Sequence, residues 1–335
     1  MKKQVTIKDI ARQLGLSVST VSRALKDHPD ISIKTRKAVK QLANILGYKP
    51  NRIALNLKNS KTNTIGLVIP MIEHNFFSSI VNGIEEIAYE NDYYVMMFQS
   101  NESYMREVLN TQALATNRVD GVLASFSKET RDFSHFKQLI DYEIPLVFFD
   151  RAVENLHADT VVSDDFEGAY NAVTHLIEKG CSKIALFTSP RHLSISQNRH
   201  DGYKKALEDK ELNYNPDLVY ACDTFDDAIK ISKSILKKVD KPDGIFAVND
   251  STALGVVKVA KMLGINVPRE LKVVGYENSK GAVMCNPELT TVDQFGYELG
   301  RQAISLLIER INADSFNYKP KNLIIKPKLV ERGTS

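Results

Sequence analysis

The sequence predicts an α/β chain, with a small all-α head followed by a core of two doubly wound lobes built on parallel sheets. Three observations carry that prediction. Positive charge is concentrated at one end. Residues 1–60 hold thirteen Lys/Arg against three Asp/Glu (Asp9, Asp27, Asp30), a net +10, which leaves −7 for the remainder of a chain whose total is +3. Apolar residues in the head recur with a helical period and are punctuated by glycine. Beyond residue 64, short β-branched runs alternate with helical stretches, the rhythm of βαβ units. Some 270 residues of that rhythm are too many for one doubly wound sheet, so two lobes are expected.

Each element follows from its residues. Ile7, Ile10, Ala11 and Leu14 form the apolar face of a first helix, stopped by Gly15. Ser17 is placed to cap a second helix containing Val18, Val21, Ala24 and Leu25. After the turn at His28-Pro29-Asp30, Ser32 caps a third through Ala38, Val39, Leu42 and Leu46, closed by Gly47. Pro50 opens a short helical stretch, Asn51 to Leu57, at a position that tolerates proline. The polar run Asn59-Ser60-Lys61-Thr62-Asn63 reads as a linker. The head is therefore set at 1–49, a hinge and linker at 50–60, and the core at 61–335. In the core, strands are expected at Ile65–Pro70, Tyr93–Phe98, Gly121–Ala124 and Pro145–Phe149, with helices Phe76–Asn91 and 104–117 among them. A second set begins near Thr160. Its strands are Lys183–Thr188, Leu218–Tyr220, Gly244–Val248 and Lys272–Gly275, alternating with helices near 166–179, 198–210, 225–238 and 251–263.

Composition, 43% apolar and 25% charged, is that of a soluble globular protein. Cys181, Cys222 and Cys285 lie far apart without C-x-x-C spacing, which argues against a disulfide framework or a zinc site. The opening Met-Lys-Lys-Gln-Val-Thr has no apolar signal region, and no run approaches eighteen apolar residues, so a cytoplasmic protein without membrane spans is expected. No G-x-G-x-x-G follows a strand, no G-x-x-x-x-G-K-[ST] exists, and the seven His show no H-E-x-x-H or triad-like context. The expectation is no enzyme, no cofactor and no metal. A transport-type solute-binding protein would share the core but not the basic head.

A basic head serves nucleic acid, an anionic membrane or solvation alone, and charge by itself leaves all three open. The segment Thr6-Ile-Lys-Asp-Ile-Ala-Arg-Gln-Leu-Gly-Leu-Ser-Val-Ser-Thr-Val-Ser-Arg-Ala-Leu narrows the choice. Two short helices about a Gly15 turn fit a helix-turn-helix, whose second helix enters the major groove. Ser17, Ser19, Thr20, Ser22 and Arg23 point outward there. Hydroxyls suit phosphates and base edges, and a guanidinium reads guanine O6/N7 with two bonds. The plainer alternative is a solvated helical face.

This segment, with Gly-Tyr-Lys-Pro-Asn-Arg-Ile-Ala-Leu-Asn-Leu-Lys at 47–58, resembles the head and hinge of the lactose/galactose-repressor family, and the resemblance runs along essentially the whole chain. It implies a transcriptional repressor that binds a pseudo-palindromic double-stranded operator as a homodimer and responds to a small-molecule effector, most simply a carbohydrate. No leucine-heptad tail follows the core, which favours a dimer over a tetramer. The resemblance implies base contacts by Val18, Ser19 and Arg23. It makes Leu57 a wedge that unstacks the central base step, with Ala54 against the partner's hinge. Thr6, Asn51 and Lys58 complete the residues expected at DNA. Without the resemblance, Leu57 reads as a core residue of the linker helix.

The core resembles the periplasmic-binding-protein-like fold, with a ligand cleft at the carboxyl ends of the strands. A first lobe of about 61–162 and 291–323 and a second of about 163–290 and 324–335 are expected. Phe76, Phe77, Asp150, Arg199, Asn249, Glu277 and Gln294 fall where the family contacts its effector, with Glu277 standing where an aspartate is usual. Carboxylates, amides and an arginine at strand ends are what polyol recognition needs, since each hydroxyl both donates and accepts. Each residue also has a plain reading: Phe76 and Phe77 as core, Asp150 and Asp250 as helix caps, Asn249, Glu277 and Gln294 as satisfied surface groups.

Overall fold

The computed structural model describes residues 5–48, 61–73, 75–153, 156–313 and 318–335. It forms two compact units, Met1–Thr62 and Asn63–Ser335. Among the described residues the first holds three helices, α1 (Ile7–Leu14), α2 (Val18–Leu25) and α3 (Ile33–Ile45). Gly15 ends α1 at φ 63°, a left-handed turn that glycine adopts without a Cβ penalty. The Ser17 and Ser32 hydroxyls accept the amides of Thr20 (3.1 Å) and Thr35 (3.2 Å), so both capping serines act as their positions predict. Ile10, Ala11, Val21, Ala24, Val39 and Ala43 close a small core. The stretch Pro50–Leu57 and the residues Asn51, Ala54, Leu57 and Lys58 lie outside the described residues.

The second unit has two six-stranded sheets. In the first lobe β1 (Thr64–Ile69), β2 (Tyr94–Gln99), β3 (Gly121–Ala124), β4 (Leu146–Phe149), β5 (Asp159–Ser163) and β11 (Asn322–Ile325) lie in the order β11-β5-β4-β3-β1-β2, every pair parallel. In the second, β6 (Ile184–Thr188), β7 (Val219–Ala221), β8 (Gly244–Ala247), β9 (Lys272–Tyr276), β10 (Thr290–Asp293) and β12 (Lys328–Val330) are ordered β12-β10-β9-β8-β6-β7, with only β12 antiparallel. Strands such as Leu146–Phe149 and Gly244–Ala247 are buried throughout, as sheets covered on both faces require.

Helices α4 (Asn75–Glu90), α5 (Tyr104–Thr116) and α6 (Ser134–Asp141) belong to the first lobe. Helices α7 (Asp165–Glu178), α8 (Ser194–Asp209), α9 (Phe225–Ile235), α10 (Asp250–Met262) and α11 (Lys280–Met284) belong to the second. Helix α12 (Gly296–Asn312) returns to the first lobe and packs on α4. The chain thus crosses between lobes three times.

Those crossings correct two expected limits. β10 pairs with β9, so the second crossing falls after Asp293 and not at 291; β11 pairs with β5, so the third falls after Ile325 and not at 323. Hydrogen-bonded pairing assigns a strand to a sheet, and that is a tertiary choice. Helix α8 also begins at Ser194, four residues before its expected start. Leu193 and Ile195 bury against first-lobe residues, and that packing outweighs the weak helix propensity of Ser194 and Ser196. Among the described residues no helix is long and apolar enough to cross a membrane.

Candidate effector cleft and nucleic-acid interface

In the head, the inner face of α2 fixes its outer face. Burying Val21 and Ala24 against α1 and α3 turns Ser17, Val18, Ser19 and Arg23 outward, with Thr20 and Ser22 half-buried. Val18 is 42% exposed, unusual for a β-branched aliphatic and suited to a thymine methyl. The Ser17 hydroxyl lies 2.8 Å from those of Ser19 and Thr20, so the first turn presents a linked row of hydroxyls. Thr6 donates its hydroxyl to Asp9 at 2.7 Å and its amide to the same oxygen at 2.9 Å, which fixes the start of α1. The Arg23 guanidinium is exposed and engages no carboxylate among the described residues.

The larger unit holds a cleft of about 240 Å³ between its lobes, at the carboxyl ends of the strands. All seven residues expected at the effector line it: Phe76, Phe77, Asp150, Arg199, Asn249, Glu277 and Gln294. Arg199, on α8, is the most heavily engaged. Its Nε donates to Asp165 Oδ1 at 2.8 Å, Nη1 to the Val248 carbonyl at 2.8 Å and Nη2 to Gln294 Oε1 at 3.1 Å, while its plane lies 3.9 Å from the Tyr276 ring centroid. A guanidinium has five donors, so this frame fixes the fork and leaves donor capacity for a ligand.

Asp150 directly follows β4 with φ 62°, and Glu277 directly follows β9 with φ 133°. Such backbone conformations cost roughly 1–3 kcal/mol for non-glycine residues and cluster at functional sites. Asp150 accepts from the Ser125 hydroxyl at 3.1 Å. Burial pushes its carboxyl up to about 6; Arg151 and Arg199 oppose the rise and Asp165 adds to it. Glu277 Oε1 accepts the Phe76 amide across the cleft at 2.6 Å, so the second lobe caps the first helix of the first lobe. Burial, then the Asp250 charge, pushes Glu277 up to about 7 against the pull of that amide and of Arg199. Two further contacts cross between lobes: Lys128 Nζ to Asp223 Oδ2 at 3.3 Å, and His192 Nε2 to the Lys128 carbonyl at 2.8 Å.

The plain readings hold in part. The cap expected of Asp250 falls to its neighbour: Asn249 caps α10, accepting the Thr252 amide at 2.8 Å, and its Nδ2 donates to the Asp223 carbonyl at 2.9 Å. Asp250 is fully buried and points away from the cleft, accepting from Thr291 Oγ1 at 2.5 Å and the Ser279 amide at 2.6 Å. Phe76 and Phe77 belong to the first-lobe core and line the cleft as well, ring centroids 5.6 Å apart and edge to face.

Comparison with known proteins places both units. Residues 6–51 match the family described as bacterial regulatory proteins, lacI family, and residues 173–335 match the periplasmic binding protein-like domain. The HTH-type transcriptional repressor PurR of Vibrio atlanticus (strain LGP32) is 31% identical over 335 residues, covering 98% of each chain. The chain belongs to the lacI family. A second relative in that family, the ribose operon repressor of Halalkalibacterium halodurans, is 33% identical over 326 residues and 96% of each chain. The solved lac repressor dimer bound to operator and the anti-inducer ONPF shares the fold, with TM-score 0.88 at 23% identity over 99% of both chains. This lacI-family protein is a DNA-binding transcriptional regulator, and these relatives are repressors.

Sequence reasoning missed several residues of the cleft wall. Glu102, Lys128, Arg151, Asp223 and Tyr276 line it too. Arg151 grips Glu102 with Nη1 and Nη2 at 2.9 Å each and donates to the Phe126 carbonyl at 2.6 Å. Four of the five sit just past the end of a strand, the same signal that picked out Asp150.

Proposed function

We propose that this chain is a homodimeric repressor whose affinity for a pseudo-palindromic operator is set by a small polyol, a carbohydrate or a derivative of one, held in the cleft between the lobes of Asn63–Ser335. One observation carries the reading. Seven residues spread over some 220 positions of sequence line a single cleft, with Arg199 held rigidly by Asp165, Val248 and Gln294. A relative named for the ribose operon and a lac repressor structure holding an anti-inducer support the effector class. At the operator, Arg23 reads a guanine, Val18 and Ser19 touch neighbouring base edges, and Thr6, Ser17, Thr20 and Ser22 hold phosphates. Asn51, Ala54, Leu57 and Lys58 complete the contact, with Leu57 as the wedge. The protein works in the cytoplasm, beside the DNA.

The second copy is supported by apolar surface at the edge of the first sheet. β2 is an edge strand, and Tyr94 and Met97 on it are exposed beside Tyr89 of α4 and Met105 and Leu109 of α5. The experiment is a mobility-shift titration against the operator selected from random duplex DNA, repeated with Arg23→Ala. That change is expected to cost on the order of 1–3 kcal/mol on the operator and much less on scrambled duplex. An equal loss on both would make Arg23 a phosphate contact only. Sedimentation of the same samples should give a dimer at micromolar concentration; a monomer would remove the homodimer from the proposal.

A further inference from the structure

The charges lining the cleft do not balance. Three cations are present, and each is matched by a carboxylate: Arg199 by Asp165 at 2.8 Å, Arg151 by Glu102 at 2.9 Å, and Lys128 by Asp223 at 3.3 Å. Two carboxylates remain, Asp150 from the first lobe and Glu277 from the second, and both line the cavity. They are 6% and 9% exposed. Asp150 has Ser125 on one oxygen and the Arg151 Nε at 3.8 Å, beyond hydrogen-bond reach because that guanidinium is committed to Glu102. Glu277 has the Phe76 amide on one oxygen. The other oxygen of each acid takes no hydrogen bond among the described residues.

Two buried acids face one cavity, Asp150 sharing Arg151, at 3.8 Å, with Glu102 and Glu277 paired with no cation among the described residues, and both are costly to ionise. The charged groups that act on them are few. Arg151, Asp165 and Arg199 act on Asp150; Asp250, Arg199 and Asp150 act on Glu277. The balance is unfavourable at both, so each carboxyl holds its proton above the usual range, to about 6 and about 7. A hydroxyl placed between them would serve as a donor but leave the charge excess in place. A cation removes it, and because the two acids come from opposite lobes, it would also draw those lobes together.

We propose that the effector is a hydroxylated primary amine of monosaccharide size, most simply an amino sugar, whose ammonium sits between Asp150 and Glu277 while its hydroxyls meet Arg199 and Gln294. This rests on the effector-cleft reading above and narrows it to a charge class. The amine is recognised by Asp150 and Glu277, and the polyol frame by Arg199 and Gln294. Closure of the cleft then follows from the ligand's charge, since a bound cation favours the ionised form of Asp150 and Glu277 together.

The test uses the full-length protein and matched probes: glucosamine, galactosamine and mannosamine, each against its parent hexose and its N-acetyl form. Thermal shift and calorimetry at about pH 7.5 give the dissociation constants. At least one amine should bind about tenfold or more tighter than its parent and N-acetyl partners. Asp150→Asn and Glu277→Gln should each erase that preference, so that on either variant the amine binds no more tightly than its parent hexose measured on the same variant. If a hexose or N-acetyl form binds as tightly as its amine, the charge class is wrong and the effector cleft stands. If none of the nine compounds binds, the carbohydrate reading falls, and the amine proposal with it.

Discussion

At the scale of single residues, Arg199 serves both structure and ligand, and two substitutions separate the roles. Arg199→Ala removes the partner of the buried Asp165 carboxylate, a change that typically costs on the order of 3–5 kcal/mol. The melting temperature should fall and the effector response should vanish, while operator affinity without effector stays nearly unchanged below the melting range. Arg199→Lys returns a cation to Asp165 but not the planar fork that meets Val248 and Gln294. It should recover most of the stability and little of the response; a variant that recovers both would show that Arg199 contributes charge alone. Asp150 and Glu277 make a second prediction, in pH. Both carboxyls are raised on folding, from 3.8 to about 6 and from 4.5 to about 7, chiefly by burial. The folded chain therefore binds more protons than the unfolded chain across those windows. The stability these groups contribute is fully present below the lower values and is lost as pH rises towards the upper ones. Urea unfolding at intervals from about pH 5 to about 7.5 should show wild type losing stability relative to an Asp150→Asn, Glu277→Gln double variant. Equal slopes would mean that neither acid carries a raised pKa.

At the scale of elements, the first lobe depends on how closely α4 and α12 approach. A Cβ on Gly83 would lie 2.1 Å from the Tyr297 carbonyl oxygen, and one on Gly300 would lie 2.2 Å from that of Ile80. These obstacles are backbone, so the helices must separate to admit even a methyl group. Gly83→Ala or Gly300→Ala should cost about 1–3 kcal/mol in chemical denaturation, with a parallel loss of effector affinity, because α4 also carries Phe76 and Phe77 to the cleft. A neutral substitution at both sites would contradict the packing described. Helix α12 is not among the expected elements, although Leu299, Ala303, Ile304, Leu307 and Ile311 recur along one face with a helical period. What no local pattern reveals is which sheet β10, β11 and β12 join. Each is short, and β11 and β12 are separated only by Lys326 and Pro327 yet lie in different lobes. The serine caps and Gly15 were legible because capping and left-handed turns are local chemistry. The cleft was legible wherever a polar residue ends a strand and matches the family's contacts. Glu102, Lys128, Arg151 and Asp223 were passed over because their pairing with one another and with Asp150 arises only once distant strands lie side by side.

At the scale of the whole molecule, the two units have separate cores. The head closes on Ile10, Val21 and Val39, and the larger unit on four clusters of its own. The residues lining the cleft all belong to the larger unit, so a ligand held there acts on that unit's own equilibrium between arrangements. It can shift that equilibrium only by its differential affinity for them. The Glu277 bond to Phe76 and the Lys128 pair with Asp223 are contacts that such a change of lobe angle would make or break. Thermodynamic linkage then makes a prediction that needs no knowledge of the path between the sites. Whatever factor the effector imposes on operator affinity, saturating operator must impose on effector affinity. A fragment of residues 63–335 retains the cleft but lacks the head, so it should bind effector with the dissociation constant of the full-length protein without DNA, and adding operator should leave that constant unchanged. For the full-length protein, calorimetry with and without operator should show the effector constant moving by the factor seen in mobility shifts, in the same direction. A fragment constant more than about tenfold from the full-length value would mean that the head itself biases the larger unit before DNA arrives. Because the linkage holds for any set of arrangements, unequal factors in the full-length protein would mean that one of the titrations had not reached equilibrium or saturation.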